Sequence, residues 1–227
     1  MPRASPPRSN WKRWLLWAAL TWVVVTVLPV ACFRFIDPPT TAFMLAHRLD
    51  DKPVKQKWVP LGKISPNMQR ALIAAEDQKF AEHFGFDVQA IEDAMEDRLE
   101  GKSSRGASTL TQQVAKNLFL WSGRNFVRKG LEVYFTVLIE LLWSKARILE
   151  VHLNIAEYGE GIYGVETASR VNFGKSAASL TQEEAALLVV VLPAPKARRV
   201  TAPGPKTRQR ANWVLEQMRH VSLEAVQ

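Results

Sequence analysis

The stretch "RNFVRKGLEVYFTVLIELLW", residues 124–143, decides the class of fold. Its second half is almost continuously apolar and broken mainly by Glu132 and Glu140. A helix that is apolar on nearly every side belongs in a helical core. Outward from this stretch the helical signals continue. Thr109 and Gln112 stand at capping-box spacing and predict a helix from Ser108 or Thr109 to about Leu120. Ser65-Pro66 predicts a helix start leading into "NMQRALIAAED", and a second helix is expected over Val88–Glu100. Between them and Thr109, "GKSSRGAS" (101–108) reads as a basic, Gly/Ser-rich, mobile loop. Downstream, "KARILEVHLNIAEYG" (145–159) continues helically and stops near Gly159. "LTQEEAALLVVVL" (180–192) is a helix closed by Pro193 and Pro195, and "RQRANWVLEQMRHV" (208–221) has helical apolar spacing. Strand signals are scarce, so the expected class is mainly α, with at most a short hairpin of no obvious location.

The chain has 227 residues, 47% of them hydrophobic, and eight tryptophans, which excludes a disordered chain. Its net charge of +8 favours an anionic partner: nucleic acid, anionic lipid or a phosphate-bearing substrate. Cys32 is the only cysteine, which rules out an intrachain disulfide and cysteine-based metal sites. The four histidines show no close ligand spacing, so no zinc site is expected. Residues 14–33, "WLLWAALTWVVVTVLPVACF", carry no charge over a length that suits a bilayer core of ~30 Å. Arg3, Arg8, Lys12 and Arg13 precede this run and only Arg34 follows closely, which puts the N-terminal tail in the cytoplasm. "VACF" matches a cleavage site poorly, and Pro29 sits badly for a lipoprotein signal, so an uncleaved anchor is expected. The expected organisation is a tail (1–13), an anchor (14–33), a membrane-proximal connector (34–57) and a globular domain (58–227).

Three clusters carry chemistry. Glu76 and Asp77 follow an apolar run. Residues 105–117, "RGASTLTQQVAKN", are rich in hydroxyls and amides and end in Lys116 and Asn117. Arg124, Arg128, Lys129 and Glu132 share about two helical turns, with Arg128 and Glu132 at i,i+4. Singly, each has a plain structural reading: a solvated helix end, a helix cap, and a surface ion pair worth ~0.3–0.5 kcal/mol. Their joint occurrence in this order points further.

Together they resemble the peptidoglycan glycosyltransferases. "AEDQKFAEHFGFD" resembles that family's ED-x-x-F-x-x-H-x-G-x-D motif, and "GASTLTQQVAKN" its G-x-S-T-[IL]-T-Q-Q-x-x-K-N motif. "RKGLE" is similar to R-K-x-x-E, and "RILEVHLNIAEYGEGIYGVETAS" with "NFGK" to the fourth and fifth motifs. Asn172, where an aromatic is more usual, and "LPAP" at 192–195 are the departures. No transpeptidase domain follows, so the resemblance is to the monofunctional biosynthetic enzymes.

The resemblance implies a lysozyme-like catalytic domain that polymerises lipid-linked disaccharide-pentapeptide (lipid II) into β-1,4 glycan. Glu76 matches the catalytic base and Glu132 the second essential carboxylate. Lys116, Arg124, Arg128 and Lys129 would surround the donor's diphosphate. Ser108, Thr109, Gln112, Gln113 and Asn117 would line the cleft. The resemblance allows a divalent cation (Mg or Mn) at the diphosphate, which no local metal motif here requires. It also implies the inner membrane, a periplasmic catalytic domain, and cell-division or elongation proteins as partners. Nucleic acid is not expected, since no such motif is present. The chemistry of the residues is consistent with it: a diphosphate leaving group needs cations and one base, whereas a glycosidase needs a carboxyl held protonated. The rival readings are a lysozyme-like hydrolase or lytic transglycosylase, and an inactive membrane-anchored scaffold.

Overall fold

The structure is a computed structural model and describes residues 10–101, 107–123 and 125–226. Arg124 and most of the loop expected to be mobile lie outside the described residues. The helices are α1 (Trp11–Phe33), α2 (Ala42–Leu49), α3 (Pro66–Glu76), α4 (Val88–Leu99), α5 (Leu110–Phe119) and α6 (Phe126–Leu142). They continue as α7 (Lys145–Ile155), α8 (Val165–Phe173), α9 (Gln182–Val189) and α10 (Pro205–Gln217). One small sheet joins β1 (Lys55–Gln56), β3 (Ile162–Tyr163) and β2 (Glu157–Gly159) in that order. β1 runs parallel to β3, and β2 antiparallel to it.

Local chemistry sets the helix starts. Ser65 Oγ accepts from Asn67 N, with Pro66 at the first helical position of α3. At α5 the Thr109 hydroxyl accepts from Gln112 N while Gln112 Oε1 accepts from Thr109 N, a complete capping box. Thr181 and Glu184 repeat the device at α9. α6 starts on Asn125, whose side chain accepts from Arg128 N at 2.7 Å.

Two groups of helices face each other. α3, α9 and α10 pack together, and α5 packs on α6 and α7. α2 leans on α5, and α1 lies along α6. Met68, Leu72, Leu110, Val114, Ile148 and Leu188 are fully buried in the shared core.

Four expectations change. α7 stops at Ile155, and Glu157–Gly159 turns into the strand of the unlocated hairpin. At its tip Gly161 has φ +69°, and a Cβ there would lie 2.1 Å from the Pro53 carbonyl oxygen, so glycine alone lets β1 approach. Residues 34–57 hold a helix, α2, with Met44 and His47 buried. α8 had no forecast at all. Finally, α6 is buried on one side only: Phe135, Thr136, Ile139 and Glu140 point inward, whereas Val133, Val137 and Leu141 are exposed.

α1 is the one described helix long and apolar enough to cross a membrane. Its last turns are docked on the domain. Thr26 Oγ1 and Tyr134 Oη are 2.8 Å apart, and Trp143 Nε1 donates to the Val30 carbonyl at 2.7 Å. Arg147 donates to the Phe33 and Ile36 carbonyls and to Asp37.

Candidate active site

Glu76 is the last residue of α3, and its neighbours come from three other parts of the chain. Its Oε2 accepts from Gln113 Nε2 at 2.8 Å, and Lys116 stands one helical turn further along α5. Arg210 on α10, which donates to the Ala75 carbonyl and lies over the Trp213 ring, adds positive charge. Tyr158, on β2, is buried close by. Burial pushes the Glu76 carboxyl above its ordinary value near 4.5, while the Gln113 hydrogen bond, Arg210 and Lys116 pull the other way.

Asp77 has a different fate. It is buried, its Oδ1 lies 2.7 Å from His83 Nε2, and its Oδ2 accepts from Leu110 N at 2.9 Å. The Thr109 hydroxyl donates to the Gly85 carbonyl, and Asp87 caps α4. Asp77, His83, Gly85 and Asp87 therefore lock the 77–87 loop onto the first turn of α5, which fixes where Gln113 and Lys116 point.

Glu132 is 3% exposed and bonded by both Arg128 and Lys129 at 2.5 Å, so this is a buried carboxylate and no surface ion pair. Lys116 feels both carboxylates. Burial lowers its pKa, and Glu132 and Glu76 oppose that. Lys116 thus lies within electrostatic reach of both acids.

Two adjoining cavities meet at Gln113, Lys116 and Leu192. One, of about 970 Å³, holds Glu76, Ser108, Thr109 and Arg210 beneath the acidic side of α4 with Asp93 and Asp97. The other, of about 710 Å³, holds Asn117, His152, His47, Glu157, Lys52 and Lys196. Of the residues expected to line the cleft, Ser108, Thr109, Gln113, Lys116 and Asn117 do so. Gln112 does not: its amide is buried and spent on the cap of α5. Arg124 lies outside the described residues.

Sequence reasoning missed His152, Tyr158 and Arg210. His152 Nε2 lies 2.9 Å from Gln113 Oε1, which extends the Glu76–Gln113 contact by one residue. His152 and Tyr158 both lie in the stretch that resembles the fourth motif, and no role was assigned to either. Nothing local marked Arg210. Among the described residues, no group of three His, Cys, Asp or Glu side chains gathers into a metal-binding set. Arg128 and Lys129 pair with Glu132 and lie near Lys116, although Arg128, Lys129 and Glu132 line neither cavity, so these residues by themselves do not fit a divalent metal.

A family model described as "Transglycosylase" matches residues 44–219. The chain belongs to the transglycosylase family. The mainly helical domain is accordingly lysozyme-like, and this transglycosylase is an enzyme of glycosyl transfer. It is 51% identical over 212 residues to the biosynthetic peptidoglycan transglycosylase of Shewanella oneidensis, covering 92% of this chain and 91% of that one. It is 52% identical to the protein of the same name from Aeromonas hydrophila, with 90% and 87% covered. The Pseudomonas fluorescens counterpart is 50% identical, with 88% and 86% covered. The family match begins at residue 44, so it takes in most of α2.

Proposed function

We propose that this transglycosylase builds peptidoglycan by polymerising lipid II, with Glu76 as general base. The observation that carries the reading is the environment of Glu76: a carboxylate at a helix end, hydrogen-bonded by Gln113, raised by burial, and facing a cleft with Lys116 at its centre. A base works best when its pKa approaches the working pH, and burial moves Glu76 in that direction. Glu76 takes the proton of the acceptor's 4-hydroxyl. That oxygen attacks the donor's anomeric carbon, the bond to undecaprenyl diphosphate breaks, and an α-linked donor becomes a β-1,4 link. Lys116, Arg128 and Lys129, joined by Arg124, meet the charge on the departing diphosphate. Glu132 holds Arg128 and Lys129 in place for it.

A retaining glycosidase would need a second carboxylate about 5 Å from the first, free to attack. Asp77 is the adjacent candidate, and both its oxygens are already occupied. That observation disfavours a retaining hydrolase that would use Asp77 as its nucleophile.

The domain plan is a cytoplasmic tail (1–13), an anchor (14–33) in the inner membrane, a connector (34–57) whose α2 also walls the cleft, and a periplasmic catalytic domain (58–227). Cell-division or elongation proteins are partners that the biosynthetic role would require. The test is glycan polymerisation from lipid-linked disaccharide by the full chain and by Glu76→Gln. The substitution should cost at least about 100-fold in rate. Activity within a few-fold of the unaltered protein would overturn the base, and soluble fragments released from sacculi without polymer would favour the hydrolase.

A further inference from the structure

His152 is 1% exposed, sits on α7, and touches no expected catalytic group directly. Its Nε2 meets Gln113 Oε1 at 2.9 Å, and Gln113 Nε2 in turn meets Glu76 Oε2 at 2.8 Å. The other ring nitrogen, Nδ1, is buried with no partner among the described residues. A neutral imidazole carries one proton. Placed on Nδ1, it would be a buried donor with nothing to receive it, the rarer kind of unsatisfied group. Placed on Nε2, it has the Gln113 oxygen in front of it. The empty surroundings of Nδ1 therefore choose the Nε2–H tautomer.

That choice fixes a second one. A glutamine amide can present either its oxygen or its NH₂ to a neighbour. With a donor on the His152 side, Gln113 must turn its oxygen there, and its NH₂ is left facing Glu76. We propose that His152 is a positioning residue: through one hydrogen bond it locks the Gln113 amide so that an N–H always faces the Glu76 carboxylate. Without that lock the amide can rotate and present oxygen to Glu76, an arrangement that favours the protonated acid.

His152 suits this task because it does not itself titrate in the working range. Burial and the nearby Lys116 ammonium hold its pKa down to about 3, so it stays a neutral one-proton donor. The other groups facing Glu76 are Lys116 from α5, Arg210 from α10, Tyr158 from β2 and Asp77 on its own segment. Asp77 spends both its oxygens on His83 and Leu110 N, and the Tyr158 hydroxyl has no partner among the described residues, so neither bonds to Gln113. The inference rests on Glu76 being the base only for its effect on rate. The effect on the carboxyl itself is independent of that reading.

The experiment uses the full chain in detergent with three substitutions: His152→Phe and His152→Asn, which place no donor at the Nε2 position, and His152→Gln, whose amide nitrogen can take that place. Two quantities are read, the pH profile of glycan polymerisation and the titration of the Glu76 carboxyl by carbon-13 NMR. With His152→Phe, the acid limb and the carboxyl titration should move up together by about one pH unit. KM for the lipid-linked substrate should stay within about two-fold, because no substrate contact is removed. His152→Asn should behave alike, which keeps the test alive if the phenylalanine variant fails to fold. His152→Gln should restore both readings. In a Gln113→Leu background, His152→Phe should add nothing to the titration, since the path runs through that amide.

An unmoved Glu76 titration in both donor-less variants would overturn the proposal. So would equal loss of activity in all three variants without a pH displacement, which would mark His152 as packing alone. If Glu76→Gln keeps its activity while the titration still moves, the base reading fails and the positioning role of His152 stands.

Discussion

Glu76 and Asp77 are neighbours with opposite environments, and each environment has a measurable consequence. Asp77 is surrounded by partners, whereas Glu76 is desolvated with one hydrogen bond and two cations only partly compensating. A carboxyl whose folded pKa lies above its unfolded value contributes stability below the unfolded value, and that contribution is lost as pH rises through the folded one. At neutral pH the ionised Glu76 is therefore a cost to the fold. Glu76→Gln should melt a few degrees higher than the unaltered chain at pH 7, with the gain shrinking as the pH falls toward 4. Thermal unfolding at the two pH values checks this, and a lower melting temperature at pH 7 would contradict it. The same displacement has a kinetic face. A base acts only when ionised, so the acid limb of polymerisation should lie above the ordinary glutamate value near 4.5 and vanish from the Glu76→Gln residual rate.

Among the elements, α5 does most to assemble the cleft, and its first turn carries the hydrogen bonds that fix its position. Thr109 accepts from Gln112 N, donates to the Gly85 carbonyl, and sits beside Leu110 N on Asp77. Thr109→Ala should cost about 1–2 kcal/mol in denaturant unfolding, from the lost cap and the unmet Gly85 carbonyl. A cost under about 0.5 kcal/mol would show that the other half of the box, the bond from Thr109 N to Gln112 Oε1, holds α5 without the threonine hydroxyl. This start was legible in the sequence because a capping box is a local device, and so was the Ser65-Pro66 start of α3. α2 was not legible: its eight residues follow Pro38 and Pro39, and distant partners, α5 and the Lys196, Glu157 and Tyr163 side chains around His47, make it worth forming. The β2–β3 hairpin escaped for a similar reason. Its strands are two or three residues long, too short to show alternation, and β1 reaches β3 only because Gly161 leaves room for Pro53. Of the site, the motif residues were readable in order along the chain; His152 and Tyr158 lay inside the fourth motif with no role assigned to them, and Arg210 lay outside every motif. They join Glu76 across 76 or more residues by packing alone, and no local spacing records that. Gln112 serves the cap of α5, because cap and cleft use the same stretch.

At the scale of the whole molecule, the apolar N-terminal helix and the catalytic domain are fastened into one object. Trp143 and Val30, 113 residues apart, share a hydrogen bond, and Arg147 holds the chain as it leaves the helix. Trp143→Phe keeps the ring but leaves the Val30 carbonyl without that donor, a loss of about 1 kcal/mol. Amide exchange over residues 30–37 should rise roughly five-fold, while protection in α3 and α9 stays put. Equal exchange in both proteins would mean that the bond holds nothing in place. The docking also changes how α1 can meet a bilayer. Its stretch Trp11–Val25 is exposed throughout and spans roughly 22 Å at ~1.5 Å per residue. Thr26 and Val30 beyond it are covered by the domain. A hydrocarbon layer of ~30 Å is thicker than that free stretch. The shortfall falls where Val133, Val137 and Leu141 of α6 and Phe35 and Ile36 stand uncovered. With α1 spanning a bilayer as proposed, immersion depth would be shared between anchor and enzyme, and a thicker or thinner membrane would reseat the whole cleft rather than merely tilt a tether.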